Sequence, residues 1–297
     1  MARIQCRAPA KLNLFLEVLG KRPDGYHDLE TVIHAVDLTD EVTVEVEAGR
    51  RSGEPVVAMR CDPAVTAAPE QNLAYRAAEA YLAVAPALPE YSVKIHLQKR
   101  IPAQAGLGGG SSDAAAVLRA LDALIGGGKG PEALIPVAAR LGADVPFFLF
   151  GGTAVCEGIG ERVTPVQGVP SREFILVLPE FGVSTAEVFS NLSLDLTVPR
   201  RLGSVIGSGL PEWAIDGSFN RLADTVFCLF PELAGIGREV NRRAGLRFQV
   251  TGSGSGLFAV CSEGTGTFRR MAARLEEIPG VAEVHLVSSF PATSQAI

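Results

Sequence analysis

The sequence has few of the features that mark secreted, membrane-spanning or nucleic-acid-binding proteins. Its cysteines are odd in number and widely spaced, without a Cys-x-x-Cys pair, so neither a disulfide framework nor a zinc site is expected. They are Cys6, Cys61, Cys156, Cys228 and Cys261. No apolar run approaches the roughly 18 residues that a membrane span needs, and the first residues contain no apolar signal segment. The formal net charge of -6 argues against a general nucleic-acid binder. We therefore expect a soluble, cytoplasmic protein with neither nucleic acid nor membrane as a partner.

What the sequence does contain is ample apolar material in strand-like and helix-like segments. Apolar residues make up 47% of the 297 positions, which suffices for a packed core. Residue patterning predicts early strands at 3–20, 29–36, 42–47 and 92–99, and helices at 72–82 and 111–124. Because the segments do not follow a strict strand–helix–strand order, the sequence predicts an α+β fold.

A glycine-rich loop followed by an alanine-rich helix is the most informative segment. Residues 99–116 read Lys-Arg-Ile-Pro-Ala-Gln-Ala-Gly-Leu-Gly-Gly-Gly-Ser-Ser-Asp-Ala-Ala-Ala. The glycines let the backbone approach a ligand closely, and consecutive N–H groups in such a loop can surround an anion. Ser111 can cap the following helix, whose N-terminus attracts the same anion, and Lys99 adds positive charge. The segment therefore predicts phosphate binding.

Two widespread phosphate-binding loops do not fit this segment. No Gly-Lys-Ser/Thr ends the run, so it is not a P-loop, and no compact strand–Gly-x-Gly-x-x-Gly–helix unit matches a dinucleotide-binding fold. On this segment alone, a purely structural glycine-rich loop remains the alternative.

Three segments along the chain form a set of motifs: Ala8-Pro-Ala-Lys-Leu-Asn13, the loop at 102–116, and Val250-Thr-Gly-Ser-Gly-Ser-Gly256. In this order they resemble the motifs of the GHMP kinase family, named for galactokinase, homoserine, mevalonate and phosphomevalonate kinases. The segments 20–27, 141–148 and 158–161 narrow the likeness to members whose acceptor carries a cytidyl diphosphate. The resemblance extends over nearly the whole chain and is densest in the first 165 residues.

The resemblance implies a two-lobed GHMP-kinase-like fold of the α+β class. Its N-terminal lobe would be of the ribosomal-protein β-α type and its C-terminal lobe ferredoxin-like. We expect an ATP-binding and catalytic lobe at 1–163 and a substrate-binding lobe at 164–297, with the nucleotide and the acceptor meeting in the cleft between them.

The resemblance also implies that the protein uses ATP and Mg²⁺. The expected nucleotide contacts lie in and just before the loop: Lys99, Pro102, Gly106, Leu107, Gly108, Gly109, Gly110, Ser111 and Ser112. Ser111 or Ser112 would reach a phosphate or its Mg²⁺, which prefers oxygen ligands. No residue is assigned as a direct metal ligand.

Asp144 and Lys11 are the expected catalytic pair. The carboxylate of Asp144 would accept the proton of the attacking hydroxyl. The Lys11 ammonium would keep that carboxylate ionised and hold the hydroxyl or the transferring phosphoryl group. On position alone, Asp144 is equally a helix-end residue bonded to local backbone, and Lys11 a solvated strand residue.

The resemblance places the acceptor against five further residues. Asn13 would hydrogen-bond the substrate, Tyr26 would stack on cytosine and His27 would bind its edge. Phe189 would form the opposite wall and Thr185 a polar contact, although Phe189 could equally be packing in a core.

The implied reaction is transfer of the ATP γ-phosphoryl group to a hydroxyl of a small alcohol that bears a cytidyl diphosphate. Two alternatives stay open: a kinase for another alcohol such as mevalonate or homoserine, and a non-catalytic relative that senses a ligand. We expect a monomer or a weak dimer.

Overall fold

The computed structural model describes residues 1–49, 56–84, 91–193, 202, 210–216, 219–261 and 265–292, without the side chains of 265–267. These ranges contain a seven-stranded sheet, a four-stranded sheet and helices that pack on both, so the predicted α+β class is confirmed. None of the helices in them is long and apolar enough to cross a membrane.

The larger sheet is built around two long strands, β1 (Ala2–Lys21) and β2 (His27–Ala48), which pair antiparallel along their length. Along the other edge of β2, its first and second halves pair with two different strands, so the sheet branches. The strands that complete this part are β3 (Val57–Asp62), β4 (Tyr91–Gln98), β5 (Thr153–Gly158) and β6 (Arg162–Val166). Strands β4 and β3 extend the sheet beyond the second half of β2, whereas β5 and β6 extend it beyond the first half.

Four helices cover this sheet and carry the glycine-rich loop. They are α1 (Leu73–Val84), α2 (Gly109–Leu121), α3 (Pro131–Leu141) and α4 (Val145–Phe150). Helix α2 packs against α1, α4 and β1, and its alanines at 114–116 are buried. Their small side chains let α2 lie close to the sheet, and the N-terminus of that helix lies beside Lys11 of β1.

The smaller sheet has the antiparallel order β11-β7-β10-β9. Its strands are β7 (Glu173–Pro179), β9 (Gln249–Val250), β10 (Leu257–Cys261) and β11 (Val281–Ser288). The helices of this half are α5 (Thr185–Ser190), α6 (Glu212–Ile215), α7 (Ala223–Leu229), α8 (Pro231–Ala244) and α9 (Thr265–Glu276). A short strand, β8 (Phe219–Asn220), leaves this half and joins the larger sheet parallel to β1.

Strand β1 takes part in every one of the three apolar clusters of buried residues. Ala8 belongs to the cluster under α1 and α2, whereas Leu16 and Val18 belong to the cluster of the smaller sheet. Between them, Leu12 and Phe15 join a third cluster that contains residues of both sheets. The two lobes therefore share one strand.

Two strands predicted at 29–36 and 42–47 are one continuous strand, β2. Asp40 lies between the two predicted segments, where it is buried and accepts hydrogen bonds from Lys99 Nζ and from the N–H groups of Arg100 and Ile101. Because these contacts satisfy the buried carboxylate, the strand continues through it. The expected lobe division between 163 and 164 falls within β6 and stays a prediction.

Candidate active site

A cleft of about 570 Å³ lies between the glycine-rich loop, β1 and the turn that follows β9. Lys11 and Asp144 both line it. Most of the predicted ligand contacts do so as well: Asn13, Lys99, Pro102, Gly106, Leu107, Gly108, Gly109, Gly110, Ser111, Thr185 and Phe189. A larger cavity, of about 740 Å³, surrounds His34 and Arg119 and includes none of the predicted site residues.

The N-terminus of α2 opens toward this cleft. Gly108 precedes the helix with a left-handed φ of 70°, and its carbonyl accepts the N–H of Ser112 at 2.9 Å. Ser111 lies inside the first turn, so the expectation that it caps the helix is wrong: the cap position is Gly108, three residues before Ser111. The N–H groups of Gly109, Gly110 and Ser111 precede the first intrahelical bond and are suited to an anion.

Two glycines of the loop are required by close packing. A Cβ on Gly106, whose φ is +74°, would lie 2.2 Å from the Thr251 carbonyl oxygen. A Cβ on Gly108 would lie 2.9 Å from the ring of Phe148 and 3.1 Å from Cγ of Lys11. The loop is thus held between Lys11 and the C-terminal lobe.

Lys99 lies at the edge of the cleft, but its charge is matched by buried carboxylates. Its ammonium contacts Asp40 and lies 2.6 Å from Asp113 Oδ2. Burial lowers the pKa of Lys99, but the two carboxylates outweigh burial and raise that pKa above its ordinary value. Burial also raises the pKa of Asp113, as does the charge of Asp40. The predicted contact of Lys99 with the nucleotide stays a prediction, since its ammonium already ties β2 to α2.

The loop fits a polyphosphate better than a metal held by protein alone. Ser112 is nearly inaccessible, outside the described lining of the cleft, and its Oγ is buried without a hydrogen-bond partner. Across the described residues, no group of three or more His, Cys, Asp or Glu side chains could hold a metal ion. Mg²⁺ would therefore be coordinated mainly by phosphate oxygens and water.

Lys11 lies on β1 with its side chain only 4% exposed. Its Nζ donates to Oδ1 of Asn13 at 2.5 Å, and Nδ2 of Asn13 donates to Oγ1 of Thr31 at 3.0 Å. Burial lowers the pKa of Lys11, which the charge of Asp144 partly offsets. The geometry excludes the solvated-strand interpretation of Lys11, because this ammonium is buried at a cleft and faces a carboxylate.

Asp144 is half-buried and immediately precedes α4. Its side chain makes no capping hydrogen bond to that helix, so the local-backbone interpretation does not apply. The carboxylate is available to a ligand in the cleft, where the field of Asp144 acts on Lys11. Such a carboxylate can accept a proton from an attacking hydroxyl.

Two of the predicted base-binding residues, His27 and Phe189, lie near each other, whereas a third, Tyr26, is largely exposed. The rings of His27 and Phe189 are 5.3 Å apart between centroids and inclined by 30°. Tyr26 is 61% exposed, and neither it nor His27 belongs to the described lining of the cleft. Thr185 is exposed and shares a 2.7 Å hydrogen bond with Ser253 Oγ.

Sequence reasoning missed Asn220, Thr251 and Asp40, whose hydrogen bonds hold neighbouring parts of the site in place. Nδ2 of Asn220 donates to the carbonyls of Val250 at 2.9 Å and Gly252 at 2.7 Å. Oγ1 of Thr251 accepts the N–H of Asn13 at 3.1 Å. Asn220 lies in a two-residue strand, which is too short to give a periodic pattern. Local patterning therefore does not indicate its role.

Comparison with known proteins agrees with this architecture. The family pattern described as "GHMP kinases N terminal domain" matches residues 72–152, which contain α1 to α4 and the glycine-rich loop. A solved homoserine kinase from Cytophaga hutchinsonii shares the fold, with a TM-score of 0.72 at 18% identity over 98% of this chain and 96% of the other. The fold and the cleft are those of a GHMP kinase, and the predicted fold class is confirmed.

Relatives of higher sequence identity point to one particular kinase within this family. A 4-diphosphocytidyl-2-C-methyl-D-erythritol kinase from Geobacter sp. (strain M21) is 39% identical over 94% of this chain and 97% of the relative. One from Bacillus cereus (strain B4264) is 37% identical over 87% of this chain and 88% of the relative. The crystal structure of a 4-(cytidine 5'-diphospho)-2C-methyl-D-erythritol kinase superposes with a TM-score of 0.77 at 34% identity, covering 97% and 100% of the two chains. This chain belongs to the 4-diphosphocytidyl-2-C-methyl-D-erythritol kinases.

Proposed function

We propose that the protein transfers the γ-phosphoryl group of ATP to the 2-hydroxyl of 4-diphosphocytidyl-2-C-methyl-D-erythritol, a step of isoprenoid precursor synthesis outside the mevalonate route. The observation that carries this proposal is the meeting of Lys11, Asp144 and the N-terminus of α2 in one cleft. The identity of the acceptor is inferred from the family to which the chain belongs. We further propose that it works in the cytoplasm as a monomer or weak dimer.

The catalytic pair has complementary tasks. Asp144 accepts the proton that the hydroxyl loses as its oxygen attacks the γ-phosphorus. Lys11, fixed by Asn13, presents its ammonium to the oxygens of the transferring phosphoryl group, where negative charge must be stabilised. Because phosphoryl transfer depends mainly on positioning and charge stabilisation, a rigid, nearly dry lysine suits this role.

The N–H groups at the start of α2 hold the phosphates of ATP, and the loop's residues from Gly106 to Ser111 surround them. Mg²⁺ neutralises phosphate charge when bound, and Ser111 or Ser112 supplies the nearby hydroxyl. The cytidyl group lies toward His27, Tyr26 and Phe189, with Thr185 and Asn13 as polar contacts. Aromatic rings suit this task because a flat base offers a face for stacking.

ATP consumption by the purified protein tests the proposal directly. The assay compares the diphosphocytidyl acceptor with mevalonate and with homoserine, and includes Asp144→Asn. We expect turnover with the cytidyl acceptor alone and a loss of at least about 100-fold in the variant, the size typical of general-base removal. Turnover only with mevalonate or homoserine would reassign the acceptor. Tight ATP binding with no turnover on any acceptor would instead support a ligand-sensing protein.

A further inference from the structure

The turn formed by Val250, Thr251 and Gly252 closes over Lys11 from the C-terminal lobe. A Cβ on Gly252, whose φ is +56°, would lie 3.1 Å from Nζ of Lys11 and 3.2 Å from Oδ1 of Asn13. Only a glycine lets the backbone approach the ammonium this closely in this conformation. The turn is therefore part of the wall that keeps water from Lys11.

The side chain of Asn220 fastens this turn, in addition to the hydrogen bond that Thr251 accepts from Asn13. Asn220 is only 5% exposed, and its amide donates to the carbonyls on either side of Thr251 while its Oδ1 accepts the N–H of Leu222 at 2.9 Å. Asn220 is also paired with Leu16 of β1, the strand that carries Lys11. The amide thus links the turn to the strand beneath it, through hydrogen bonds that are costly to leave unmade when buried.

We propose that Asn220 is a positioning residue for phosphoryl transfer, which acts through the carbonyl of Gly252 to hold the turn against Lys11. It touches neither ATP nor the acceptor in this role. The proposal rests on the proposed function for its catalytic part, whereas its effect on Lys11 is a property of the protein without substrate.

The consequence for Lys11 follows from its surroundings. The titratable groups that act on its ammonium are Asp144, at the start of α4, and Cys156, on β5. Burial raises the pKa of the Cys156 thiol, so that group stays neutral, and Asp144 acts to raise the pKa of Lys11. Burial acts in the opposite direction and is the larger effect. Releasing the turn admits water, reduces that burial and moves the pKa of Lys11 upward toward its ordinary value.

The chain contains only five lysines, which makes this shift measurable without any substrate. They are Lys11, Lys21, Lys94, Lys99 and Lys129. Protein labelled with carbon-13 at lysine Cε is titrated by NMR, and the Lys11 signal is assigned from its loss in Lys11→Arg. The variants are Asn220→Leu, which keeps the number and branching of the side-chain heavy atoms and removes the hydrogen bonds, and Asn220→Gln, which keeps an amide. Asn241→Leu is the matched control, because its Oδ1 accepts the N–H of Phe248 at 2.8 Å in the same lobe but away from the cleft.

We expect Asn220→Leu to raise the pKa of Lys11 and to lower kcat about 10-fold or more, because a small misplacement of a catalytic group slows the transfer step. The KM for ATP should stay within about two-fold of the wild-type value. Asn220→Gln should recover part of both effects, and Asn241→Leu should show neither. An unchanged Lys11 titration in Asn220→Leu, or the same shift in Asn241→Leu, overturns the proposal. If Asn220→Leu does not fold, Asn220→Ser provides the same two measurements. A shifted Lys11 signal in a protein that phosphorylates no acceptor would remove the proposed function and, with it, the catalytic part of this role.

Discussion

Asp40 and Asp113 share one lysine, yet they are not equivalent. Asp40 is fully buried and also accepts the N–H groups of Arg100 and Ile101, whereas Oδ1 of Asp113 has no hydrogen-bond partner. Asp40 therefore determines where the chain after β4 turns toward the loop, and Asp113 adds a second attachment from α2. Removal of the first should be far more damaging than removal of the second.

We predict that Asp40→Asn costs about 3–5 kcal/mol of unfolding free energy, because it removes the charge of a buried carboxylate that accepts hydrogen bonds from Lys99 and from two backbone N–H groups. Asp113→Asn should cost about 1 kcal/mol or less. Denaturant titrations of both variants at neutral pH measure the difference. Equal losses would mean that the orphaned oxygen of Asp113 has no energetic consequence.

The pH dependence of Asp113→Asn gives a second check. Because burial raises the pKa of Asp113, the folded protein binds its proton more tightly than the unfolded chain does, and Asp113 lowers stability as pH rises from its unfolded pKa near 4 toward its folded pKa. Relative to the wild type, the variant should gain stability between about pH 4.5 and pH 7. A difference that stays constant over this range would show an ordinary pKa for Asp113.

The aromatic pair beside the cleft distinguishes the proposed acceptor from smaller alcohols. We predict that Phe189→Ala raises KM for the cytidyl acceptor about 10-fold, because the base loses a stacking contact and the area buried by it. The kcat should stay within about two-fold of the wild-type value. Phe268→Ala, whose ring packs in the core of the smaller sheet, is the control and should leave KM unchanged. Steady-state kinetics with ATP saturating provide the measurement. An unchanged KM in Phe189→Ala would place that ring in the core rather than at the base.

At the scale of elements, the glycine-rich loop is where local sequence and tertiary contact meet. Gly106 and Gly127 both have left-handed φ values, +74° and +82°, but only Gly106 is crowded. The Thr251 carbonyl would lie 2.2 Å from a Cβ at Gly106, whereas nothing lies within 4 Å of one at Gly127. This pair separates backbone strain from steric conflict.

We predict that Gly106→Ala lowers ATP turnover by about 100-fold or more, because the loop must move away from the C-terminal lobe and the phosphates with it. Gly127→Ala carries the same backbone strain and should lower stability only modestly, with turnover unchanged. Turnover and thermal melting are measured for both. Similar turnover in the two variants would show that the contact with Thr251 is dispensable.

Elements with strong local signals were predictable, and those set by distant contacts were not. The loop and α2 follow from glycines and alanines that act locally, and the strand predicted at 92–99 is β4, observed at Tyr91–Gln98. By contrast, the central residues of β1 are buried on both faces because two lobes cover the strand, which no local pattern shows. Lys11 and Asp144 came from a family likeness, whereas Asn220 acts across 32 residues, a separation that no local pattern reveals.

At the scale of the whole molecule, the lobes are joined by a buried ion pair as well as by a shared strand. Glu17 on β1 is fully buried, and Arg221, just after β8, donates to both of its carboxylate oxygens at 2.6 and 2.9 Å. The N–H of Arg221 also donates to the carbonyl of Leu16 at 2.8 Å. These contacts lead us to expect that the lobes unfold together.

We predict that Arg221→Met costs about 3–5 kcal/mol, since it leaves Glu17 buried and poorly compensated, and that adding Glu17→Leu recovers much of that loss. The single tryptophan, Trp213, whose ring contacts Phe15, reports on the region between the lobes. The four tyrosines all lie in the first third of the chain. Tryptophan fluorescence and tyrosine absorbance should therefore give coincident unfolding curves in the wild type. Separated curves would show lobes that unfold independently.

The shared strand also sets a rule for protein engineering. An exchange of acceptor-binding halves between relatives, cut at the middle of the chain, would leave Leu16 and Val18 of one parent facing the apolar cluster of the other. A working chimera must therefore transplant the second half of β1 together with the C-terminal half, although the two are separated by more than a hundred residues of sequence.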